Sequence, residues 1–463
     1  GKEDTVNSKA EKPNILYIMT DQQNAAMMSC AGNPWLKTPA MDSLASRGVR
    51  FDRAYCTNPV CVPSRISMMT GRPASSFGIL HNLCGSNSDI PVKVQQNSIG
   101  HLLRTAGYET AYGGKTHLAR NMSPEQIGFD ETLTHDAYDE LADKSVEYLK
   151  RPHDKPFFLI SSFHNPHDVC FMALDAFTET AGESLRYPKM EGARRNLAEA
   201  LKIPGNLSKE EFFDRMCPPL PDNYEIPENE PDGAIAIDDF IRWARENWKE
   251  EDWRLHRWAY CRLTERVDAQ IGRVLDALRE AGLEENTLVV FSSDHGDMDS
   301  SHRLEHKNSA YEEACRVPFI VSWKGVTLPG VTDKEHLVAS GLDLIPTLCD
   351  AAGTKPPAGL RGRSVLPLAK GGQTASWRRE VCVETPQSGY MIRSGRYKYC
   401  VYPDDPPAEQ FMDLADDPGE MRNLAGNKDM DPIIKDHRRR LIKWLESIDN
   451  RKAMALVERA GPV

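Results

Sequence analysis

Runs of apolar residues alternate with longer amphipathic stretches over most of the chain. The runs cover residues 13–19, 108–112, 156–162, 286–291 and 317–323. Continuous apolar runs of this length are typical of parallel strands covered on both faces. Helical spacing of apolar positions lies between them, for example over 98–106 and, as two helices, over 235–281. This alternation predicts an α/β fold with a large, mainly parallel sheet flanked by helices on both faces.

The pattern changes near Ser376. Shorter strand-like runs follow at residues 380–384, 390–393, 396–402 and 411–414. Glycine-containing turns separate several of these runs, so they predict a small antiparallel sheet, and a terminal helix over 432–448 is expected to pack on it. We therefore divide the chain into a flexible N-terminal segment (1–12), a main α/β domain (13–375) and a C-terminal α+β subdomain (376–463).

One long insert interrupts the main domain. Residues 169–233 are mixed and polar with a proline cluster, and we interpret them as irregular. Inserts of this length commonly form functional rims or mobile loops. The segment is therefore expected to face a substrate.

Composition limits the partners. The chain has 463 residues, 40% of them hydrophobic, and a net charge of −11. That charge argues against nucleic acid as a partner, and an anionic substrate would need a locally basic pocket. No apolar run approaches the roughly 20 residues of a membrane span, and this chain shows no signal peptide. The oligomeric state cannot be read from the sequence.

Cysteine usage does not indicate a disulfide framework. The eleven cysteines are an odd number and include no C-x-x-C pair, which also argues against a zinc ribbon. Cys382 and Cys400 lie in neighbouring strand-like runs, and a disulfide between them is one possibility.

Titratable residues follow four of the predicted strands. The groups are Asp21-Gln22, Lys115 with His117, His164 with His167, and Asp294-His295. Each has an ordinary explanation when taken alone, such as a helix cap, a turn or a surface histidine. Because the carboxyl ends of parallel strands meet at one edge of a sheet, these groups are expected to lie together.

The most distinctive motif is Cys61-Val62-Pro63-Ser64-Arg65, which runs on to Thr70-Gly71. A cysteine just before a proline-initiated helical turn sits at the positive end of a helix, where backbone N–H groups can hold an anion. A lone cysteine is more often a buried structural thiol. Here the flanking residues resemble the signature of the type I sulfatases, in which a maturation enzyme oxidises this cysteine to formylglycine.

The resemblance covers most of the chain. Further matches are Pro13-Asn14-Ile15-Leu16 with Asp21, Gly114-Lys115-Thr116-His117, Asn165-Pro166-His167, Asp294-His295-Gly296-Asp297, Lys307, and Asp413-Leu414 with Asp417-Pro418. It implies an alkaline-phosphatase-like fold and hydrolysis of sulfate esters by attack of a formylglycine hydrate on sulfur. It also implies sulfated carbohydrates, such as glycosaminoglycan fragments, as substrates, and export to a periplasm, a lysosome or the cell exterior.

By the same resemblance, one divalent metal ion is bound by Asp21, Gln22, Asp294 and His295. Calcium is the family's usual ion and suits oxygen ligands. Gln22 and His295 stand where the family more often has Asp and Asn. Since a nitrogen ligand suits manganese or zinc better, Mn²⁺ and Zn²⁺ stay open.

The resemblance also assigns roles around the nucleophile. Lys115 and Lys307 would neutralise the sulfate, Arg65 would hold the formylglycine, and His117 would position or deprotonate its second hydroxyl. His167 would bind the substrate or protonate the leaving alcohol. Further substrate contacts are expected from His164, His302, Arg303 and His306, whereas Asp297 is interpreted as an internal hydrogen-bond acceptor.

Two alternatives to a sulfatase remain at this point. One is a phosphonate or phosphate diester hydrolase that uses the same formylglycine, which the two unusual metal ligands keep open. The other is an inactive, glycan-binding relative in which Cys61 is never converted.

Overall fold

A computed structural model describes residues 12–235, 238–374 and 376–463. The N-terminal segment predicted to be flexible lies outside the described residues, apart from Lys12.

The strands are β1 (Asn14–Asp21), β2 (Val49–Phe51), β3 (Ala54–Tyr55), β4 (Glu109–Gly114), β5 (Glu131–Thr134), β6 (Phe157–Pro166), β7 (Thr287–Ser293), β8 (Phe319–Ser322), β9 (Val331–Asp333), β10 (Val338–Ala339), β11 (Val381–Glu384), β12 (Tyr390–Arg393), β13 (Tyr397–Tyr402) and β14 (Ala408–Asp413). The helices are α1 (Pro39–Arg47), α2 (Cys61–Thr70), α3 (Asn82–Ser86), α4 (Val92–Gln95), α5 (Ile99–Thr105), α6 (Asp139–Lys150), α7 (Phe171–Ala181), α8 (Glu191–Ala200), α9 (Lys209–Arg215), α10 (Asp239–Asn247), α11 (Glu250–Glu280), α12 (Glu312–Cys315), α13 (Ser340–Ala351), α14 (Leu366–Ala369), α15 (Asp431–Ser447) and α16 (Arg451–Ala460).

The large sheet has the strand order β5-β4-β6-β1-β7-β8-β2-β9. The strands from β5 to β7 are parallel to one another, and β8 runs antiparallel to both β7 and β2. The predicted large, mainly parallel sheet is confirmed. The strand over 317–323 forms as β8 but is reversed, because the connection from β7 stays at the carboxyl edge of the sheet and enters β8 from there.

Helices cover both faces of this sheet, as the apolar runs predicted. Leu16 and Ile18 of β1 share a buried cluster with Val274 of α11. Tyr17 and Met19 point to the other face, into a cluster that includes residues of α2 and α13. Side chains alternate across a strand, so β1 is buried on both faces and its carboxyl end is held rigidly.

The insert is more regular than the sequence suggested. Helices α7, α8 and α9 lie within 169–233, so the interpretation of this segment as irregular was wrong. Apolar residues at helical spacing in α7 and α8 pack in a cluster with α10 and α11. A capping box joins Ser208 and Glu211 at the start of α9. The prolines are confined to the connections, and they obscured this pattern.

The C-terminal sheet is antiparallel, with the order β11-β12-β13-β14, as predicted. Helix α15 matches the predicted terminal helix, whereas α16 was not foreseen. Cys382 and Cys400 are free thiols. Strand β12 separates their strands, and the two side chains lie in clusters on opposite faces of the sheet, so the suggested disulfide was wrong.

The face of this sheet that holds Cys400 is continuous with the core of the main domain. Lys398 of β13 is fully buried at the junction. Its Nζ lies 2.8 Å from Glu312 of the main domain and 2.6 Å from Glu420.

Among the described residues, none of the helices combines the length and apolar character that a bilayer span requires.

Candidate active site

Two carboxylates meet at the centre of the carboxyl edge. Strands β1 and β7 pair in parallel, with Thr20 opposite Ser293. The next residues, Asp21 and Asp294, are therefore neighbours, and both are completely buried. The backbone N–H of Gln22 donates to Asp294 Oδ1 at 3.1 Å. The sheet register thus positions the acidic half of the site.

Cys61 is the first residue of α2, and its thiol faces this edge while only 1% exposed. Its Sγ lies 3.3 Å from His295 Nε2, 3.1 Å from Lys307 Nζ and 4.0 Å from Lys115 Nζ. The predicted nucleophile position is therefore surrounded by nitrogen groups from three separate parts of the chain.

Arg65 lies one helical turn after Cys61 and connects the two carboxylates. Its Nη2 and Nε each lie 2.8 Å from an Oδ2 atom, that of Asp21 and that of Asp294 respectively. Its Nη1 donates to the carbonyl of Lys115 and to Ser162 Oγ, both at 3.0 Å. A planar guanidinium can make all these bonds at once, which explains why this buried position holds an arginine.

Lys115 follows β4 through a glycine that the geometry requires. Gly114 has φ of +91°, and a Cβ at this position would lie 2.1 Å from the carbonyl oxygen of Ser162. This close approach of β4 to β6 directs Lys115 into the site, where its Nζ lies 2.7 Å from Asp21 Oδ2.

Lys307 reaches the site from an unusual loop. Between residues 299 and 308, six residues other than glycine have positive φ: Asp299, Ser300, His302, Arg303, His306 and Asn308. Such backbone conformations are costly and concentrate at functional sites. The loop places Lys307 Nζ 3.1 Å from Gln22 Oε1 and 3.1 Å from Cys61 Sγ.

The electrostatics favour anions at Cys61 and Asp21. Burial alone raises the pKa of each group. The nearby ammonium groups, Lys115 above all and also Lys307, outweigh burial and hold the pKa of Asp21 and of the Cys61 thiol well below their usual values. An acidic protein thus contains the locally basic pocket that its overall charge does not suggest.

Two neighbouring histidines, whose ring planes are tilted by 54°, form another wall of the site. The rings of His164 and His167 are 4.5 Å apart. Burial, followed by the charge of Lys115, lowers the pKa of His167 to about 3 and that of His164 well below its usual value. Both rings are therefore neutral at physiological pH.

The donor set fits a divalent metal ion. One ligand atom from each of Asp21, Cys61, Asp294 and His295 lies within 4.8 Å of all the others. His295 Nδ1 donates to the carbonyl of Gly296 at 2.9 Å, so a neutral ring directs the lone pair of Nε2 at this group.

The side chain of Gln22 contacts Lys307 and donates to Asp297 Oδ2 at 2.8 Å. Asp297 is therefore an internal acceptor, as expected.

The predicted substrate contacts differ in their surroundings. His306 is buried against Phe240 at a ring distance of 5.1 Å, and Lys307 is among the charges that depress its pKa. His302 Nε2 bonds the carbonyl of Gly419 at 2.8 Å, and its ring packs on Tyr311. These contacts join His302 to the C-terminal subdomain rather than to the nucleophile.

Arg303 and His117 lie at the margin. Arg303 is paired with Glu225 of the insert, and its guanidinium lies over Tyr224. His117 has φ of +45° and lies two residues beyond Lys115, and its buried Nδ1 has no hydrogen-bond partner among the described residues. The roles assigned to these residues stay predictions.

Glu305 is a further buried residue of the site that was not predicted from the sequence. Its carboxylate is buried behind Lys307, and neither oxygen has a hydrogen-bond partner within the described part of the chain. Burial raises its pKa well above the usual value. In the sequence it is one of several charged residues in a row, so only the folded loop reveals that it is buried.

Comparisons with known proteins agree with this geometry. The family model described as Sulfatase matches residues 13–354, and the one described as N-sulphoglucosamine sulphohydrolase, C-terminal, matches 300–447. The Delta 4,5-hexuronate-2-O-sulfatase of Bacteroides thetaiotaomicron is 30% identical over 92% of this chain and 88% of that protein. The choline-sulfatase of Rhizobium meliloti is 30% identical over 90% and 83%. The solved structure of a 2-O GAG sulfatase superposes with a TM-score of 0.79 at 29% identity, covering 96% of this chain and 94% of that one.

A mainly parallel sheet with a buried group of acid, thiol and histidine side chains at its carboxyl edge is the architecture of an ester hydrolase of the alkaline phosphatase superfamily. The chain belongs to the sulfatase family and is a sulfuric ester hydrolase.

Proposed function

We propose that this protein removes sulfate from carbohydrates, in particular glycosaminoglycan fragments, after Cys61 has been converted to formylglycine. The observation that carries the proposal is the position of Cys61. Its Sγ lies at the first turn of α2, between Lys307 at 3.1 Å and Lys115 at 4.0 Å, and beside His295 at 3.3 Å. Two ammonium groups and a histidine around one nucleophile are the groups expected for attack on a tetrahedral anion.

The two lysines approach Cys61 from different elements, β4 and the 299–308 loop. A sulfate group seated over residue 61 would therefore contact an ammonium group on each side. Charge that develops on the sulfate oxygens during attack is stabilised by groups already in place, which is the largest single contribution in many hydrolases.

His167 is suited to protonating the leaving oxygen. Burial, followed by the charges of Lys115 and Lys307, holds its pKa at about 3 and keeps the ring neutral before substrate binds. The negative charge of a bound sulfate ester would raise this pKa, so that the ring can take up a proton and pass it to the leaving oxygen. We assign it as the group that donates to the departing sugar hydroxyl, and His117 as the group that takes the proton from residue 61 when sulfate leaves.

Asp21, Asp294 and His295, with Gln22 beside them, would hold the metal ion. The ion supplies Lewis acidity, which lowers the pKa of a hydroxyl on residue 61 and makes that hydroxyl a nucleophile. Calcium is our first choice because both carboxylates offer oxygen, with Mn²⁺ or Zn²⁺ as alternatives because of His295. Arg65 keeps both carboxylates oriented.

Relatives support the carbohydrate substrate. The names of the Bacteroides thetaiotaomicron enzyme and of the 2-O GAG sulfatase specify sulfated sugars. We further propose export from the cell and dependence on a formylglycine-generating enzyme. The insert, including Glu225 beside Arg303, is proposed to form the rim that contacts the sugar.

The test uses the chain co-expressed with a formylglycine-generating enzyme, with the conversion of Cys61 verified by intact mass. Sulfate release is measured on defined sulfated mono- and disaccharides in parallel with an aryl phosphonate monoester. We expect at least one sugar sulfate to be turned over far faster than the phosphonate. A phosphonate preference of several orders of magnitude would show the alternative hydrolase instead.

The matched control is Cys61→Ala, prepared in the same way. It should be folded and inactive on every substrate. If Cys61 keeps its thiol mass beside the maturation enzyme and the chain binds these sugars without releasing sulfate, it is the glycan-binding relative and the proposal is wrong.

A further inference from the structure

The unconverted thiol form of the site has the dimensions of a tetrahedral zinc centre. Cys61 Sγ lies 3.3 Å from His295 Nε2 and 3.9 Å from Asp21 Oδ1. His295 Nε2 lies 3.5 Å from Asp294 Oδ1 and 3.9 Å from Asp21 Oδ1. Zinc bonds of ordinary length at tetrahedral angles separate the ligand atoms by about 3.3–3.6 Å. Small side-chain movements would therefore bring all four atoms onto one ion.

The outer bonds of these ligands already orient them inward. Arg65 binds the Oδ2 atoms of both Asp21 and Asp294, so their Oδ1 atoms lie on the side of Cys61 and His295. Asp294 Oδ1 also accepts the backbone N–H groups of Gln22 and His295. His295 Nδ1 is occupied by the carbonyl of Gly296, so Nε2 is the free nitrogen. Hydrogen bonds to the remote atoms of metal ligands are the usual way in which proteins orient them.

The ligand chemistry favours a soft ion. A thiolate, an imidazole and two carboxylates match the donor types that bind zinc, whereas calcium takes oxygen ligands almost exclusively. Replacing the sulfur of residue 61 by oxygen removes the only soft ligand of the group. The identity of one side-chain atom would thus decide which metal the site selects.

We propose that, while residue 61 is still cysteine, Cys61, Asp21, Asp294 and His295 bind one Zn²⁺, and that conversion of the cysteine abolishes this preference. The zinc form is a distinct state of the chain in which the thiol is masked. This inference does not depend on the proposed carbohydrate substrate, because it concerns the protein before it can turn over any ester.

The test uses the full chain expressed without a maturation enzyme, its Cys61 thiol verified by intact mass. Zinc affinity and stoichiometry are measured by competition with a chromophoric chelator, and Cd²⁺ serves as a probe because its bond to a thiolate gives an ultraviolet charge-transfer band. We expect one ion per chain and a thiolate band with Cd²⁺. Absence of tight zinc binding, or Cd²⁺ binding without that band, would overturn the proposal.

Variants separate this site from the neighbouring group of His164, His167 and Asp168, whose ligand atoms also lie close together. Cys61→Ser should weaken zinc binding by about 100-fold or more, and His295→Asn by at least about tenfold. Cys170→Ser is the matched control, because Cys170 is also buried and its Sγ lies 3.7 Å from His167 Nδ1. It should bind zinc like the parent, and an equal loss in Cys170→Ser and Cys61→Ser would refute the assignment.

A second measurement needs no variant. Because Cys61 is buried, its labelling by iodoacetamide is followed in a low concentration of urea, where transient opening exposes the thiol. Bound zinc should slow this labelling, while the labelling of half-exposed Cys30 and Cys84 serves as the internal reference. Equal labelling of Cys61 with and without zinc would contradict the proposal even if the Cys61→Ser chain failed to fold.

Discussion

The site has two halves that are built in different ways. The strand-end half consists of Asp21, Asp294 and Lys115 with Arg65 behind them, and sheet register and helix geometry place it. The loop half consists of Lys307 and its neighbours between residues 299 and 308, where six residues adopt left-handed backbone conformations. The first half is a by-product of the fold, whereas the second is a costly loop that the surrounding structure must hold in place.

The difference extends to hydrogen bonding. Three of the four carboxylate oxygens of Asp21 and Asp294 accept hydrogen bonds from Arg65, Lys115 or a backbone N–H. Within the 299–308 loop, by contrast, both carboxylate oxygens of Glu305 and the Nδ1 atom of His306 are buried without hydrogen-bond partners among the described residues. We conclude that the strand-end half contributes to stability and chemistry together, while the loop half serves chemistry at the expense of stability.

The largest effect is expected for Arg65→Met. Removing the guanidinium leaves two buried carboxylates without their main partner, which should lower the free energy of unfolding by about 3–5 kcal/mol and abolish measurable turnover. Denaturant unfolding and sulfate release are the measurements. Arg72→Met, on a partly exposed arginine just beyond the same helix, is the control and should be near neutral. A fully stable Arg65→Met chain would show that the strand-end half is not structural.

Lys307→Met should lower the rate of sulfate release far more than it lowers the stability of the chain. Loss of one ammonium group that stabilises transition-state charge should lower kcat/KM by about 10²-fold or more. Stability should change much less than in Arg65→Met, because the cost of burying the ammonium group offsets most of its attraction to Asp21. Kinetics on a sugar sulfate and thermal unfolding of the same preparation test this, with exposed Lys324→Met as the control. A large loss of stability would place Lys307 in the structural half.

His167→Asn should show an effect that depends on the leaving group. With a sugar alcohol, which needs protonation, turnover should fall by about 10²-fold or more, whereas an aryl sulfate with an acidic phenol should lose far less. Parallel rates on the two substrates measure the difference. Equal losses on both would mean that His167 binds sulfate and does not protonate the leaving oxygen.

The smallest effect concerns stability at acid pH. Burial lowers the pKa of His256 to about 3, so this ring takes up a proton near pH 6.5 in the unfolded chain but only near pH 3 in the folded one. Its contribution to stability is therefore complete above pH 6.5 and is lost as the pH falls from 6.5 towards 3. His256→Gln should flatten this decline of the melting temperature, and an unchanged slope would contradict the assignment.

The two halves also differ in how far sequence predicts them. The strand ends were predicted correctly because apolar runs show where strands stop, and parallel strands bring those ends together. The left-handed loop and the burial of Glu305 could not be predicted, because they depend on contacts distant in sequence. The reversal of β8 and the helices of the insert were missed for related reasons: strand direction is set by the path of the connection, and the prolines hid short helical segments.

The burial of Lys398 has a consequence for how the chain is made. Glu312, which follows the Lys307 loop by five positions, reaches its final contacts only when Lys398 and Glu420 are present. Cys61 leaves the ribosome on the order of tens of seconds earlier at ordinary rates of synthesis. Cys61, which is 1% exposed in the finished fold, is thus uncovered during translation. On the proposed function, this interval is when a formylglycine-generating enzyme would reach the thiol.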